Sequence, residues 1–354
     1  MKNQIEKKVL NARRINEAEA LFLFEQDDLI WLGRLANAVK QRLSGNKIFF
    51  NINRHINPTN FCINRCRFCA FSASFGDKHG YQLSLEEISK IADQTGDVYE
   101  FHIVGGLHPE WEFEYYLDIL RLLRKRRPSA LLQAYTAVEI DHFSRISGLT
   151  LKETIAELKK AGLDAVPGGG AEIFDSKVRS KICPEKISSK RWLQVHEALH
   201  KAGVQSNATM LYGHVEKFKH RVDHLRRLRL LQDRTRGFAA FIPLAFHPKN
   251  TRLAFDHYTT GVDDLKTIAV SRIYLDNFPH IKAFWIMLGV KLAQVALWFG
   301  SDDLDGTVEE EKITHMAGAQ TPEALAQDEL VRLIREAGRK PVERDTWYRV
   351  KKIW

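Results

Sequence analysis

The chain has 354 residues, of which 44% are hydrophobic and 27% are charged, and its formal net charge is +9. This length is too great for one ordinary domain but is normal for an α/β barrel, and the composition is that of a globular protein with a large core. The excess of basic residues indicates an anionic ligand or a basic surface. Since no nucleic-acid-binding motif accompanies the charge, we expect no nucleic-acid partner.

The sequence also argues against secretion and membrane insertion. The N-terminus lacks the apolar core of a signal peptide. The most membrane-like run, 283–300, contains Lys291 and Gly289 and falls short of the ~20 apolar residues that span a bilayer. Four cysteines in so long a chain do not form a disulfide framework, so we expect reduced thiols, a cytoplasmic protein and no membrane partner.

The predicted elements begin with helices and then alternate. Apolar residues recur at helical spacing over 17–42, and Ser44-Gly45-Asn46 ends this segment, which predicts a helical N-terminal extension over 1–46. The predicted strands are 47–56, 98–104, 131–138, 165–171, 205–212, 237–246, 283–288 and 296–299. Helices separate them, and a closing helix is predicted from Thr321-Pro322. Eight strands alternating with helices predict a parallel (β/α)8 TIM-type barrel over 47–354, with a C-terminal helix.

The loop after the first strand contains Cys62, Cys66 and Cys69, spaced C-x3-C-x2-C. Thiolates are the ligands of iron–sulfur clusters, and a cubane cluster is usually held by four of them. Three cysteines in one loop would therefore hold a [4Fe–4S] cluster and leave one iron open to a cofactor or substrate. The alternative is a structural zinc site, which needs four ligands and would have to recruit His55 or Cys183.

Other candidates follow later strands, whose carboxyl ends carry the chemistry in such barrels. Gly105-Gly106 after strand two can bring the backbone close to a ligand. Glu139 and Glu172 follow strands three and four and could accept hydrogen bonds from ribose hydroxyls, act on a substrate, or simply sit at helix N-termini.

Four further residues are candidates for contact with an anionic substrate. His214 and His247 follow strands five and six and could donate to a carboxylate, act in acid–base catalysis, or serve a structural role. Arg179 and Lys186 follow the fourth strand and could bind a carboxylate. Arginine suits this role better than lysine, because its planar guanidinium can donate two hydrogen bonds to one carboxylate. Surface charge is the alternative for both, and it is favoured for Lys186.

The cysteine spacing, with Phe68 before the last cysteine, resembles the radical S-adenosylmethionine (SAM) superfamily. That resemblance implies a radical SAM core in which the open iron binds SAM. Gly105-Gly106 is similar to the Gly-Gly-Glu element that holds the methionyl amino group, although Leu107 replaces the glutamate. The resemblance adds Phe68, Gly105, Gly106, Glu139 and Glu172 as expected SAM contacts.

Longer stretches are similar to one family in that superfamily, aminofutalosine synthase. The resemblance runs from Glu17 to the C-terminus, and the segments that carry it are 55–62, 105–109, 168–174, 207–216 and 302–308. The related cyclase and the deazaflavin-cofactor synthases share the cysteine loop and the Gly-His after strand five. Aspartates 302, 303 and 305 favour the aminofutalosine synthase family.

This resemblance implies an adenosylating transferase of menaquinone biosynthesis. The reduced cluster would cleave SAM to methionine and a 5′-deoxyadenosyl radical, which adds to the enolpyruvyl double bond of 3-[(1-carboxyvinyl)oxy]benzoate. Rearrangement and loss of the carboxylate carbon would give 6-amino-6-deoxyfutalosine. Expected catalytic residues are His214 and Glu172, and expected substrate contacts are Arg179, His214 and His247.

An electron donor such as flavodoxin or ferredoxin is the expected protein partner. Three alternatives stay open: a related radical SAM enzyme of the cyclase or deazaflavin-cofactor type, an iron–sulfur electron-transfer protein, and a basic RNA-modifying enzyme.

Overall fold

The computed structural model describes residues 1–254 and 257–354. The strands are β1 (Lys47–Asn51), β2 (Asn53–Ile56), β3 (Glu100–Ile103), β4 (Leu131–Ala134), β5 (Ala165–Val166), β6 (Gln205–Tyr212), β7 (Phe238–Ala245), β8 (His280–Ile281), β9 (Asp303–Gly306), β10 (Lys340–Arg344) and β11 (Val350–Ile353). The helices are α1 (Lys2–Leu10), α2 (Glu17–Phe24), α3 (Leu29–Ser44), α4 (Leu85–Gln94), α5 (Phe113–Arg126), α6 (Ala137–Ser147), α7 (Leu151–Ala161), α8 (Ser176–Ile182), α9 (Ser189–Lys201), α10 (Phe218–Thr235), α11 (Gly261–Tyr274), α12 (Trp285–Leu288), α13 (Val290–Ala296), α14 (Ile313–Met316) and α15 (Gln327–Glu336).

Two sheets form the wall of the barrel. Strands β2 to β8 make a parallel seven-stranded sheet in chain order, and the second sheet has the order β11-β10-β1-β9. Strands β1 and β2 are consecutive, with Ile52 between them, and single parallel bridges from Lys282 to Asp303 and from Arg54 to Glu309 join the sheets. The parallel strands therefore curl round one core, and the predicted α/β TIM-type fold is confirmed.

The two last barrel strands differ from the prediction. Residues 283–288, predicted as strand seven, mostly form helix α12, and residues 296–299, predicted as strand eight, end helix α13 and turn. The strands at these positions are β8 and β9. Short apolar runs fit a buried helix as well as a buried strand, which explains the error. The closing helix also begins later than predicted, at Gln327 rather than Thr321.

The N-terminal helices pack against the outer helices of the barrel. Helix α3 lies on α11 and α2 lies on α10, where Phe24 stacks on Phe218 with ring centroids 5.2 Å apart. Asn16 starts α2 with a capping box, which satisfies free backbone donors at the helix end. The division of the chain into residues 1–46 and 47–354 stays a prediction.

Within residues 1–254 and 257–354, no helix is both long enough and apolar enough to cross a bilayer.

Candidate active site

The three clustered cysteines line one cavity of about 320 Å³ at the carboxyl ends of the barrel strands. They lie in the long connection between β2 and α4, and all three thiols are free. The loop is fixed through its backbone: the Cys62 N–H donates to the carbonyl of Ala73 at 3.1 Å, and the Cys69 N–H donates to the carbonyl of Cys66 at 3.1 Å. Backbone bonds of this kind hold the thiols toward the cavity without using their side chains.

Burial makes two of these thiols, those of Cys62 and Cys66, hard to ionise by themselves. It raises the pKa of Cys66 to about 12 and raises the pKa of Cys62 as well, while the nearby Lys186 ammonium acts in the opposite direction. A buried thiolate needs a compensating positive charge. An iron–sulfur cluster provides such charge, so the donor set and its surroundings fit the predicted [4Fe–4S] group.

Gly105 and Gly106 lie directly against the cysteine loop. The Gly106 N–H donates to the carbonyl of Thr59 at 2.8 Å. A Cβ on Gly106 would be 2.1 Å from the carbonyl oxygen of Phe61, and one on Gly105 would be 3.0 Å from that of Thr59. Only glycine permits so close a backbone approach. Both glycines line the cavity, beside the cysteines.

Glu139 lies behind the glycine pair. The structure puts it in the first turn of α6 rather than at the end of strand three, because β4 stops at Ala134. Its carboxylate accepts the N–H of Gly105 at 3.1 Å and that of Thr136 at 2.7 Å, and Thr136 caps the same helix. Burial raises the pKa of Glu139 to about 7. Glu139 lines the cavity and fixes the Gly105 backbone.

Glu172 and Lys186 form a buried ion pair in the cavity wall. Their carboxylate and ammonium are 2.6 Å apart, with 8% and 14% of the side chains exposed. Burial lowers the pKa of Lys186, but the charges of Cys66 and Glu172 outweigh it and raise the pKa overall. The ammonium also lies 5.1 Å from the centre of the Phe68 ring. The surface interpretation of Lys186 is therefore wrong.

The backbone of Glu172 is unusual. Its φ of 49° lies in the left-handed region, which costs a residue other than glycine about 1–2 kcal/mol. Its carbonyl accepts the N–H of Leu211 at 2.8 Å, which holds the strained turn against β6. This turn aims the carboxylate of Glu172 into the cavity.

Arg179 and His214 lie behind the cavity wall rather than in it. The Arg179 guanidinium donates to the backbone carbonyls of Ala171, Ile173 and Ile187. The His214 ring is fully buried and contacts the carbonyl of Leu211 and neighbouring backbone and acidic groups. In this arrangement both side chains brace the loops that follow β5 and β6.

His247 lines the cavity, as expected of a substrate contact. Its Nε2 lies 3.0 Å from the carbonyl of Met287. Because a carbonyl only accepts, Nε2 carries the proton and Nδ1 is an acceptor, which is buried without a hydrogen-bond partner. Burial lowers the pKa of His247, so the ring is neutral at pH 7.

The deep end of the cavity contains polar residues that the sequence reasoning did not select as site residues. His55 and His102 stack with ring centroids 4.4 Å apart, and burial lowers the pKa of His55 to about 4. Asp305 pairs with Lys282 at 2.6 Å, and Glu311 accepts from Thr314 and its neighbours. The available signal was polar residues within or just after strands, such as His102 between the apolar Phe101 and Ile103 of β3.

Comparison with known proteins agrees with this geometry. Residues 56–228 match the family described as the radical SAM superfamily, and residues 235–354 match the CofH/MqnC C-terminal region. The aminodeoxyfutalosine synthase of Thermus thermophilus is 47% identical over 99% of this chain and 96% of its own length. The chain belongs to the radical SAM superfamily. It is an enzyme of that superfamily, and its resemblance to aminofutalosine synthase is confirmed at the level of sequence similarity.

Other relatives define the breadth of the group. The aminodeoxyfutalosine synthase of Streptomyces coelicolor is 44% identical over 99% of this chain and 94% of its own. A Methanopyrus kandleri protein named 5-amino-6-(D-ribitylamino)uracil–L-tyrosine 4-hydroxyphenyl transferase is 39% identical over 91% of this chain and 89% of its own. The fold is shared with methylornithine synthase, with a TM-score of 0.76 at 16% identity over 95% of this chain and 97% of that one.

Superfamily membership implies a [4Fe–4S] cluster and SAM, and the cysteine loop fits them. Three thiols face one cavity wall next to a glycine pair that leaves room for a ligand. No three His, Cys, Asp or Glu side chains within 1–254 and 257–354 are arranged to hold a single metal ion. In a cubane each cysteine binds a different iron, so its ligands stand farther apart than those of one ion.

Proposed function

We propose that this radical SAM protein is an aminodeoxyfutalosine synthase that joins the adenosyl group of SAM to 3-[(1-carboxyvinyl)oxy]benzoate. The observation that carries the proposal is one continuous cavity. Its wall combines the three cysteines and the glycine pair with apolar side chains that include Ile242, Leu244 and Met287. An adenosyl group held beside the cysteines would therefore share this cavity with an aromatic substrate packed against the apolar side chains.

The cysteine end has the groups that a cluster and SAM need. Cys62, Cys66 and Cys69 would hold a [4Fe–4S] cluster which, when reduced, supplies the electron that cleaves SAM to methionine and the 5′-deoxyadenosyl radical. Backbone groups near Gly105 and Gly106 would contact the methionyl part of SAM. These residues bind and orient, while the cofactor carries out the radical chemistry.

The polar residues of the cavity wall would bind charge and hydroxyl groups. Glu172 is a candidate acceptor for ribose hydroxyls, and its partner Lys186 is the one lysine or arginine among the described residues that line the cavity. His247 and His55 would offer neutral ring nitrogens to the substrate. Arg179 and His214, expected to touch substrate, would instead act by bracing the loops that carry Glu172 and Leu211.

A second candidate is a reaction of the type named for the archaeal relatives, which are transferases acting on 5-amino-6-(D-ribitylamino)uracil and L-tyrosine. The observation in its favour is the acidic deep end of the cavity, because Asp305 and Glu311 suit a polyol better than a carboxylate. Greater similarity to the synthases, at 47% and 44% identity against 39%, favours the first proposal.

The test is an anaerobic assay of the reconstituted enzyme. Iron and sulfide are added first, then dithionite, SAM and the enolpyruvyl benzoate, and the products are analysed by mass spectrometry. The expected product combines adenosine with benzoate, and Cys66→Ala should abolish it together with the cluster. Cys183→Ala is the matched control: this thiol is also buried, but it lies outside the C-x3-C-x2-C loop, so iron content should be unchanged.

Other results would redirect the proposal. Free 5′-deoxyadenosine without the adduct would retain radical SAM chemistry and reject this substrate, and the archaeal-type substrates would then be supplied instead. Absence of SAM cleavage despite a full cluster would contradict both candidates. Since the site depends on reduced thiols, we expect the enzyme to act in the cytoplasm.

A further inference from the structure

The outer face of the cysteine loop carries a concentration of basic residues, which we call the basic rim: Arg65, Arg67, Lys177, Lys181 and Arg252. Three chain segments meet there through backbone bonds. The Arg67 N–H donates to the carbonyl of Ile182, next to Lys181, at 2.7 Å, and the Arg252 N–H donates to the carbonyl of Arg67 at 2.7 Å. The Arg252 guanidinium also donates to the carbonyl of Arg65 at 2.5 Å. The rim is thus tied to the loop itself.

The rim is open to solvent and its charge is largely uncompensated. Arg67, Lys177 and Lys181 are exposed, and none of them forms a salt bridge within the described part of the chain. The neighbouring Glu185 carboxylate accepts the backbone N–H of Arg65 at 2.8 Å and keeps its negative charge, so it offsets one of the five positive charges of the rim. Arg67, Lys177 and Lys181 therefore leave the rim net positive and present that charge outward.

The positive surface continues from Lys177 and Lys181 into a shallow depression that Lys217 and Lys219 also line. Two acids also lie in this depression. Asp223 pairs with Arg226 at 2.7 Å, whereas Asp175 caps α8 by accepting the N–H of Val178 at 2.9 Å and keeps its charge. Four lysines against one carboxylate without a cationic partner leave the depression net positive, so it adds to the basic rim.

The basic rim lies on the outer side of the loop whose cysteines line the cavity. Arg65 and Arg67 flank Cys66, whose thiol faces the cavity while the residue is only 4% exposed. A partner resting on the rim is therefore separated from a cluster ligand by little more than the thickness of the loop. Clustered positive charge steers an acidic partner to such a surface and speeds association at low salt.

We propose that the basic rim docks a small acidic one-electron carrier, which delivers its electron to the cluster through the cysteine loop. The proposal rests on the radical SAM function but not on the identity of the substrate. In the transfer a flavin hydroquinone on the carrier loses one electron and becomes a semiquinone, and the oxidised cluster gains that electron.

The test uses the reconstituted holoenzyme and reduced flavodoxin as the probe. Two quantities are measured at low ionic strength: the Kd of oxidised holoenzyme for oxidised flavodoxin, by calorimetry, and the bimolecular rate at which flavodoxin hydroquinone bleaches the cluster, by stopped flow. For Lys177→Glu/Lys181→Glu we expect Kd to rise and the rate to fall by about tenfold or more. Arg67→Glu should act in the same direction.

A control pair carries the same change of charge elsewhere. Lys125 and Lys160 lie in the last turns of α5 and α7, which lead to the opposite end of the barrel strands. Lys125→Glu/Lys160→Glu should bind flavodoxin and be reduced within twofold of the wild type. Dithionite, which needs no docking surface, should reduce all variants equally, and 0.5 M salt should remove the difference between rim and control variants.

Equal reduction of the rim and control variants by flavodoxin, or a Kd insensitive to salt, would overturn the proposal. So would a rim that binds RNA or anionic vesicles while flavodoxin is indifferent to its charge. None of these measurements includes the enolpyruvyl benzoate. If the synthase assay gives no product, the docking experiment can therefore still be interpreted. If the rim variants bind flavodoxin like the wild type, the synthase proposal is unaffected.

Discussion

Gly106→Ala tests whether close backbone contact between the glycine pair and the cysteine loop is needed for the site. The added Cβ would lie 2.1 Å from the carbonyl oxygen of Phe61 and 3.1 Å from the Cβ of Cys62. Ordinary contacts between carbon atoms need about 3.5 Å, so the loop would have to shift by about 1 Å. Overpacking of this kind costs about 1–3 kcal/mol, and a shift of about 1 Å at a reacting group can cost about a hundredfold in rate.

The assays for Gly106→Ala are thermal melting of the apoprotein, iron content after reconstitution, and SAM cleavage with dithionite. We expect a lower melting temperature, incomplete or labile cluster, and SAM cleavage reduced by about a hundredfold. Gly96→Ala is the matched control, because its Cβ would meet nothing within 4 Å. If Gly106→Ala melts, loads iron and cleaves SAM as Gly96→Ala does, the contact has no role in positioning the cysteines.

Two further changes probe the ion pairs of the site. Lys186→Met leaves the buried Glu172 carboxylate unpaired and should lower the free energy of unfolding of the apoprotein by about 3–5 kcal/mol. The double variant Lys186→Met/Glu172→Gln should recover much of this loss in denaturant unfolding. If the effects of the two single changes simply add in the double variant, the pairing is refuted. Hydrogen bonding to Glu311 raises the pKa of His315 to about 9 from 6.5, so its stabilisation is complete below pH 6.5 and is lost as pH rises through 9. The difference in melting temperature between wild type and His315→Gln should therefore shrink over that range, and a constant difference would contradict the assignment.

The sequence predicted the first six strand positions of the barrel but misassigned the last two. Strand β9 reads Asp-Leu-Asp-Gly, a composition that does not favour a strand. In the structure Asp303 pairs with Arg344 at 2.7 Å, and Asp305 pairs with Lys282 at 2.6 Å. These partners come from elsewhere in the chain, so the strand is specified by tertiary ion pairs that no local pattern contains.

The same distinction separates the predicted from the unpredicted parts of the site. The cysteines and the glycine pair were selected from their spacing and from a glycine run, and Glu139 was selected because it follows a predicted strand; the structure places all of them in the cavity wall. The exposure of Lys186 was predicted wrongly because no local sequence feature distinguishes a buried lysine from an exposed one in a polar segment. Its environment is created by Glu172 and Phe68, which only the fold brings to it.

The fate of the positive charges constrains how any substrate carboxylate is held. The net charge is +9, but few of the basic residues face the cavity. Buried arginines are already engaged: Arg179 donates to backbone carbonyls and Arg344 donates to Asp303. The residues of the basic rim face outward. Within the described cavity wall, Lys186 alone carries a permanent positive charge. A substrate with two carboxylates would therefore meet one ammonium, already paired, and neutral groups such as His247. A carboxylate without a cationic partner in an apolar environment is poorly stabilised, so under the proposed function the Lys186 ammonium would be the main electrostatic contact for a substrate carboxylate.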